Sequence, residues 1–97
     1  MKRVRVARST TMDLDEIWTY IAHRDGVDAA QRLIESLTNR LAFLSRHPRA
    51  GRDRTDLAAG LRGFSLGQYR AYYRVEPSAV RIHHIRHTSR DERALAD

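Results

Sequence analysis

Two apolar stripes at helical spacing, separated by a glycine, constrain the fold of this chain more than any other feature. The first stripe follows the i, i+3, i+4, i+7 pattern from Leu14 to Ile21, and the second extends from Ala30 to Leu44. Gly26 lies between them and tolerates the left-handed backbone that often ends a helix. Because only a few residues separate the stripes, the pattern predicts an antiparallel helical hairpin, whose apolar side needs a further layer to cover it.

Strand-like segments on either side of the hairpin can supply that layer. Apolar and polar residues alternate clearly from Tyr69 to Val75, and Pro77-Ser78 provides a tight turn before a returning strand that begins at Val80. Leu61–Leu66 is a possible shorter strand, and Val4–Val6 indicates a strand before the hairpin. We therefore predict an α+β fold in the order β-α-α-β-β-β, in which an N-terminal strand and a three-stranded antiparallel meander form one sheet.

Local signals predict where these elements begin, end or become irregular. The hydroxyls of Ser9–Thr11 are N-cap candidates for the first helix, which would put Asp13 in its first turn. The polar segment from Arg49 to Gly60 is predicted to be a loop. The alternation of the last strand slips at His83-His84, which indicates a β-bulge or a strand buried on both faces.

The length of 97 residues suits a single domain spanning 1–97. Charge is distributed unevenly along this chain. The chain has 18 Lys and Arg against 12 Asp and Glu, a net charge of +6, and all of these bases except Lys2 are arginines. Residues 10–39 carry a net charge of −4, whereas residues 40–90, with the predicted meander, carry +8. Such asymmetry is typical of proteins that bind a polyanion or an acidic partner.

Several classes of protein are excluded by what the sequence lacks. It has no apolar run near the ~20 residues of a membrane span, and its first residues lack the apolar segment of a secretory signal. The absence of cysteine excludes disulfides, zinc–thiolate sites and thiol catalysis. Adjacent histidines on a strand point to opposite faces, so His83 and His84 do not suit one metal ion. We expect a cytoplasmic protein without metal, cofactor or membrane association.

One face of the predicted meander carries the side chains most capable of ligand binding or catalysis. Arg70 and Arg74 share the strand face opposite the one expected to cover the helices, Arg81 and His83 alternate on the next strand, and His87 follows. Guanidinium and imidazole groups could bind nucleic-acid phosphates or perform acid–base chemistry there. A solvated outer strand face explains the same pattern, and composition alone favours that interpretation.

Taken in order, several segments resemble the ParE/RelE superfamily of toxins from bacterial type II toxin–antitoxin systems. The resemblance covers nearly the whole chain and implies the same strand, helical hairpin and three-strand layout. It also implies neutralisation by a small cognate antitoxin, acidic at its toxin-binding segment, in a hetero-oligomer. The matching segments are Asp13–Ile21, the leucine stripe of the second helix, His47–Arg52, Gly60–Arg62, Tyr69–Val75 and Ile82–Asp91.

The superfamily contains two activities, and the resemblance leaves both open. RelE-like members cleave ribosome-bound mRNA, and for them Arg70 matches a phosphate-binding arginine, Arg90 falls near a second one and His87 could act as the acid–base residue. ParE-like members poison DNA gyrase and lack this nuclease set. No tyrosine follows Arg90 here, and the loop carries Arg52 and Arg54 in place of the lysine cluster of RelE. The ending is therefore similar to the ParE branch.

We predict a ParE-like toxin that inhibits DNA gyrase and is not an enzyme. The alternative is a RelE-like ribosome-dependent mRNA endoribonuclease with Arg70, His87 and Arg90 as catalytic residues, and a third possibility is a toxin-like fold that retains only antitoxin binding. Target or antitoxin binding is assigned to four residues of the predicted meander, namely Arg62, Arg74, Arg81 and His83.

Overall fold

The computed structural model describes residues 1–89 and Glu92, and it confirms the predicted α+β layout. The strands form one five-stranded sheet in the order β1-β5-β4-β3-β2, in which β1 runs parallel to β5 and the other neighbours are antiparallel. The elements are β1 (Arg3–Val6), α1 (Arg8–Asp25), α2 (Val27–Leu41), a 3₁₀ turn (Ala42–Ser45), β2 (Arg52–Asp53), β3 (Arg62–Leu66), β4 (Tyr69–Val75) and β5 (Ala79–His87).

A single glycine makes the tight connection between the two helices. Gly26 adopts a φ of +98°, which glycine tolerates without a steric penalty. Its N–H donates to the carbonyl of Ala22 at 3.0 Å, and its own carbonyl accepts from the N–H of Ala30 at 3.1 Å. The same residue therefore ends α1, as the sequence predicts, and it also begins α2.

The helical hairpin covers one face of the sheet, here called the helix-facing face; the opposite one is the outer face. Burial of each large apolar side chain between these layers contributes about 1.5–3 kcal/mol. No helix in the described part of the chain is long and apolar enough to cross a membrane. The fully packed core consists of Leu37, Leu41, Leu44, Leu66, Ala71, Tyr73, Val80, Ile82 and Ile85.

The slip in alternation predicted at His83-His84 is a β-bulge. Tyr73 pairs with Ile82, whereas Tyr72 pairs with His84, so His83 is an extra residue on β5. The prediction of an irregularity at this point is confirmed.

The bulge changes which side chains share a face. It allows both Ile82 and Ile85 to face the core, although their positions differ in parity. It also places His87 opposite Tyr69 on the helix-facing face. His83 and His87 are both odd-numbered, and regular alternation would put them on one face of the strand. The bulge at His83 breaks this alternation, so the two histidines do not share a face.

Side chains of α1 cover the edge of β5 from Ile82, the last residue that pairs with β1, onward. The Ser9 hydroxyl donates to the carbonyl of His83 at 2.5 Å, and the Thr10 hydroxyl donates to the carbonyl of Ile82 at 2.7 Å. These hydroxyls do not cap the helix, because α1 begins at Arg8 and no side chain caps its N-terminus. The predicted role of this segment as an N-cap is wrong.

The Asp13 carboxylate contacts the next part of this edge of β5. Its side chain is 8% exposed and accepts from the N–H of Ile85 at 3.0 Å and from Nη1 of Arg86 at 2.9 Å. Nδ1 of His84 lies 3.0 Å from the same carboxylate and must carry a proton to bond to it. Asp13 is thus a buried link between α1 and β5, and its predicted position in the first turn of the helix is wrong.

The segment predicted as a loop contains the two-residue strand β2 and a buried tyrosine contact just before it. The Tyr73 hydroxyl donates to the carbonyl of Pro48 and accepts from the N–H of Gly51, both at 2.8 Å. A Cβ at Gly51 would lie 2.6 Å from the Tyr73 oxygen, so this close approach requires glycine. The contact fixes the chain at the point where it enters the sheet edge.

The substitution Asp13→Ala should lower the free energy of unfolding by about 3–5 kcal/mol, because it leaves a partly buried arginine and a strand N–H without their carboxylate. Urea denaturation at neutral pH measures the change. The matched control is Asp15→Ala, which removes an exposed carboxylate from the same helix and should stay within about 0.5 kcal/mol of the parent. Equal effects of the two substitutions would contradict the assigned role of Asp13.

Candidate functional site: a basic sheet face

The outer face of the sheet carries two rows of arginines. In the first row, Arg81 on β5 pairs with Arg5 on β1 and with Arg74 on β4. In the second row, Arg70 on β4 pairs with Arg86 on β5. Like charges directly opposite each other on neighbouring strands are destabilising. The face therefore favours negatively charged groups, whether they come from this chain or from a partner.

Carboxylates of this chain already neutralise part of that charge. Oε2 of Glu76 lies 2.9 Å from Nε of Arg81, and this guanidinium lowers the pKa of Glu76. Oε2 of Glu92 lies 3.2 Å from Nη1 of Arg70, while Arg86 turns toward α1. Within the described residues, Arg5 and Arg74 of the first row have no carboxylate within 4.0 Å.

Glu92 is the acceptor at the centre of the densest polar cluster. Its Oε2 accepts from Nη1 of Arg54 at 2.7 Å, from Arg70 and from the Tyr72 hydroxyl. These contacts, led by Arg54, lower the pKa of Glu92 to about 2. Asp56 binds the other side of the Arg54 guanidinium through bonds of 3.0 and 2.9 Å. Asp56 therefore orients Arg54 and leaves Nη1 to point at Glu92.

Tyr72 is only 2% exposed, although the alternation of the sequence puts it on the polar face of β4. Leu57, Ala58 and Leu61 pack against it, so the segment 54–61 covers part of the outer face. Burial is the main cause that raises the pKa of the Tyr72 hydroxyl. The phenol therefore keeps its proton at neutral pH and serves as a neutral donor to Glu92.

A pocket of about 390 Å³ opens beside this cluster. Gly63 leaves room there, since a Cβ at that position would lie 3.2 Å from Cδ of Arg70 and 3.5 Å from Cγ of Arg54. Four guanidinium groups around one pocket create a strongly positive environment. The lining residues are Arg40, Ala50, Arg52, Arg54, Gly63, Phe64, Ser65 and Arg70.

Two of the arginines predicted to bind a target also hold loops of this chain. Nη1 of Arg62 donates to the carbonyl of Gly51 at 2.8 Å, and Arg62 pairs with Tyr73 on the helix-facing face. Nε of Arg74 donates to the carbonyl of Ala59 at 2.8 Å. The structure therefore brings Arg74 and Arg81 together on the outer face but separates Arg62 from them.

His83, the bulged residue, is half-buried, and its Nε2 has no hydrogen-bond partner among the described residues. Desolvation is the first cause that lowers its pKa, and the nearby Arg74 adds to the effect. His83 is therefore neutral at physiological pH and adds no charge to the outer face. No group of three or more His, Asp or Glu side chains within the described ranges could hold a metal ion.

The structure describes two of the three residues assigned to catalysis in the nuclease alternative and places them on opposite faces of the sheet. Arg70 lies on the outer face, whereas His87 lies opposite Tyr69 on the helix-facing face, with ring centroids 5.3 Å apart. Nδ1 of His87 is 2.8 Å from Oγ of Ser89, at a pocket of about 420 Å³ between α1 and the β4–β5 hairpin. Arg90 lies outside the described residues.

Sequence reasoning missed the groups that organise this face. Helical periodicity could have identified Asp13, because it lies three residues after Thr10 and four before Ile17, on the buried side of α1. The cluster around Glu92 has no such periodic signal, because its members are brought together from three separate segments. Arg54 is noticeable in the sequence only through the resemblance, as a base in place of the RelE lysine cluster, and no sequence pattern pairs it with Glu92.

A parallel β1–β5 pair and a helical hairpin over an antiparallel meander form the layout that solved toxins of the ParE/RelE type share. The chain belongs to the ParE family, because the model of the "ParE toxin of type II toxin-antitoxin system, parDE" matches residues 4–92. It is a ParE-like type II toxin, which confirms the predicted branch of the superfamily.

Two curated relatives come from Caulobacter vibrioides. The chain is 36% identical to Toxin ParE1 over 96 residues, covering 97% of each, and 35% identical to Toxin ParE3 over 82 residues, covering 84% of this chain and 82% of the relative.

Solved structures support the same fold. The chromosomal ParDE system from P. aeruginosa contains a chain that superposes with a TM-score of 0.80 at 21% identity, covering 90% of this chain and 96% of that one. The RelBE2 toxin–antitoxin complex from Mycobacterium tuberculosis gives a TM-score of 0.61 at 26% identity, covering 89% and 96%.

Replacing Arg54 with alanine should raise the pKa of Glu92 from about 2 toward its ordinary value of 4.5, because the largest cause of the shift is removed. Carboxyl chemical shifts followed by NMR during an acid titration measure it. Since the folded-state pKa is depressed, these contacts stabilise the fold above about pH 4.5 and lose this effect as the pH falls toward 2. Glu76, paired with Arg81, is the internal control and should keep its lowered pKa; an unchanged Glu92 would contradict the assignment.

Proposed function

We propose that this ParE-like toxin inhibits DNA gyrase by binding it and cleaves no nucleic acid. The gyrase target is supported by the resemblance of the sequence to the ParE branch, whose members poison DNA gyrase. The observation that favours binding over cleavage is the position of Arg70 and His87 on opposite faces of the sheet.

Catalytic geometry explains why this separation matters. A general acid must come within about 2.6–3.2 Å of the atom that it protonates, directly or through one water. A phosphate held by Arg70 would lie on the outer face, with the sheet between it and the imidazole of His87. His83 is nearer to that face, but burial lowers its pKa and favours a neutral ring. Only the arginines around Arg70 support the RelE-like alternative.

A supercoiling assay with purified protein tests the proposed target. The protein should inhibit supercoiling by DNA gyrase at near-stoichiometric ratios and leave ribosome-bound mRNA intact in a parallel reaction. A lack of inhibition at a large molar excess of folded protein would overturn the gyrase proposal. Cleavage of the mRNA at the same concentrations would support the nuclease alternative instead.

His87→Ala separates the two activities genetically. A nuclease that depends on an acid–base residue should lose about 10²–10⁴-fold in rate when that residue is removed. We expect growth arrest by the variant to stay within about threefold of the parent, because binding to gyrase needs no proton transfer. Expression in cells without an antitoxin measures it, and Ser89→Ala controls for loss of the His87–Ser89 contact. A large loss of toxicity confined to His87→Ala would contradict non-enzymatic action.

We also propose that a small cognate antitoxin neutralises the protein in a hetero-oligomer and places acidic side chains on the outer face. The rows of arginines supply the charge complementarity, since Arg5 and Arg74 lack carboxylate partners within the described structure. The neighbouring ParDE and RelBE2 structures are toxin–antitoxin systems by their own descriptions. Charge complementarity of this kind acts mainly on the association rate and on specificity.

The double substitution Arg74→Ala/Arg81→Ala should weaken antitoxin binding by about 10–100-fold at low salt and reduce its salt dependence. Surface plasmon resonance at two salt concentrations measures both. Arg32→Ala/Arg46→Ala is the matched control, because it removes two exposed arginines from the helical layer and the same amount of charge. Equal weakening by the two pairs would indicate a general charge effect and contradict docking on the outer face.

A further inference from the structure

We propose that three stacked rings just after α2 form a binding surface for the bases of single-stranded DNA. The rings belong to Phe43, His47 and Phe64, here called the aromatic stack. Exposed arginines around the stack would hold the phosphates of the same strand. The choice of DNA rests on the proposed gyrase target, whereas the stacking surface itself follows from ring geometry and charge.

Phe43 contacts both other rings of the aromatic stack. Its centroid lies 4.3 Å from that of His47 and 6.0 Å from that of Phe64, and the interplanar angles are 22° and 5°. Near-parallel rings at these distances are in offset-stacked contact. Phe43 is 50% exposed and His47 is also exposed, so these two rings have surface in contact with solvent. Every nucleic-acid base has a π face that can stack on such rings.

Backbone hydrogen bonds hold the exposed rings in place before a ligand arrives. The carbonyl of Phe43 accepts from the N–H of His47 at 3.1 Å, which fixes the imidazole one turn beyond the phenyl ring. The Tyr73 hydroxyl donates to the carbonyl of Pro48, the next residue, at 2.8 Å. Phe64 is held on β3 and packs against the core. A surface ordered in advance loses less conformational entropy on binding.

A cavity of about 410 Å³ adjoins the two exposed rings. This volume falls in the range of small-ligand sites, roughly 300–1,000 Å³. Arg49 contributes a guanidinium to a lining that otherwise consists, among the described residues, of Phe43, His47, Pro48 and Ala50. Base edges are read by side-chain amides, carboxylates and bidentate arginines, whereas stacking accepts any base. We therefore expect binding with little sequence preference.

The segment that carries the exposed rings is uniformly basic. Residues 40–52 contain four arginines and no aspartate or glutamate, which gives a net charge of +4. All four are exposed, and none has a carboxylate within 4.0 Å in the part of the chain that the structure describes. Aromatic rings beside such a positive surface are typical of proteins that bind single strands. The four arginines are Arg40, Arg46, Arg49 and Arg52.

The aromatic stack is separate from the cluster around Arg70. Phe64 pairs with Ala71, whose side chain lies in the core, so Phe64 is on the helix-facing face. Arg70 precedes Ala71 on β4 and lies on the outer face. A strand bound at the stack therefore does not occupy the residues of the nuclease alternative.

Fluorescence anisotropy with a short, labelled oligothymidylate tests the proposal in the full-length protein. The matched probe is a strand of the same length and charge that lacks its bases. The parent protein should bind the strand with bases about tenfold more tightly, because stacking adds to the phosphate contacts that both probes make. This comparison needs no variant and isolates stacking from charge.

Variants then locate the stacking surface. Phe43→Leu/His47→Gln should reduce the preference for the strand with bases to less than about twofold and leave binding of the abasic strand nearly unchanged. The matched control is Tyr20→Leu, which removes an exposed ring from α1 and should keep the full preference. Arg46→Ala/Arg49→Ala should weaken binding of both probes. It should also lower the slope of log affinity against log salt by about 1.4, or about 0.7 for each lost phosphate contact.

Equal binding of the two probes by the parent protein would overturn the proposal. A preference that survives Phe43→Leu/His47→Gln in a protein with native circular dichroism would also overturn it. Binding of an RNA strand more than tenfold tighter than DNA would indicate RNA, and displacement of the DNA by an acidic peptide of equal charge would indicate a protein partner; either result contradicts the assignment. No arm contains gyrase, so this result and the supercoiling result can fail independently.

Discussion

The contact between Asp13 and β5 is the interaction on which the rest of the structure depends. β1 pairs with only four residues of β5, and α1 covers the last of these and the edge beyond it with two hydroxyls and one buried carboxylate. Without these acceptors and donors, the strand that carries His84 and Arg86 would have an open edge. Because β5 is an inner strand of the sheet, its bulge and its register also decide which face each functional side chain occupies.

That arrangement concentrates positive charge on one surface and separates it from the residues best suited to proton transfer. Glu76 and Glu92 relieve part of the repulsion among the arginines, so the outer face is stable in isolation yet still attracts anions. His87 lies on the opposite face, beside α1. This separation is the basis for the proposal that the outer face docks a charged partner and does not cleave a phosphodiester.

The sequence predicts most of the fold because the relevant signals are local and periodic. The helical stripes, the alternation from Tyr69 to Val75 and the parity slip at His83-His84 each correspond to an observed element. Much less of the candidate site could be predicted. Tyr72 is buried by a segment without strand or helix periodicity, and Glu92 meets Arg54 only through the folded chain, 38 residues apart in sequence. Such contacts depend on tertiary packing.

Amide hydrogen exchange at Ile85 tests most directly whether Asp13 closes the edge of β5. The Ile85 N–H points away from β4 and donates to the Asp13 carboxylate. The account predicts that this amide exchanges as slowly as the amides at the centre of the sheet, and therefore by global unfolding. Fast exchange of Ile85 in the folded protein, at the rate of an open strand edge, would contradict it.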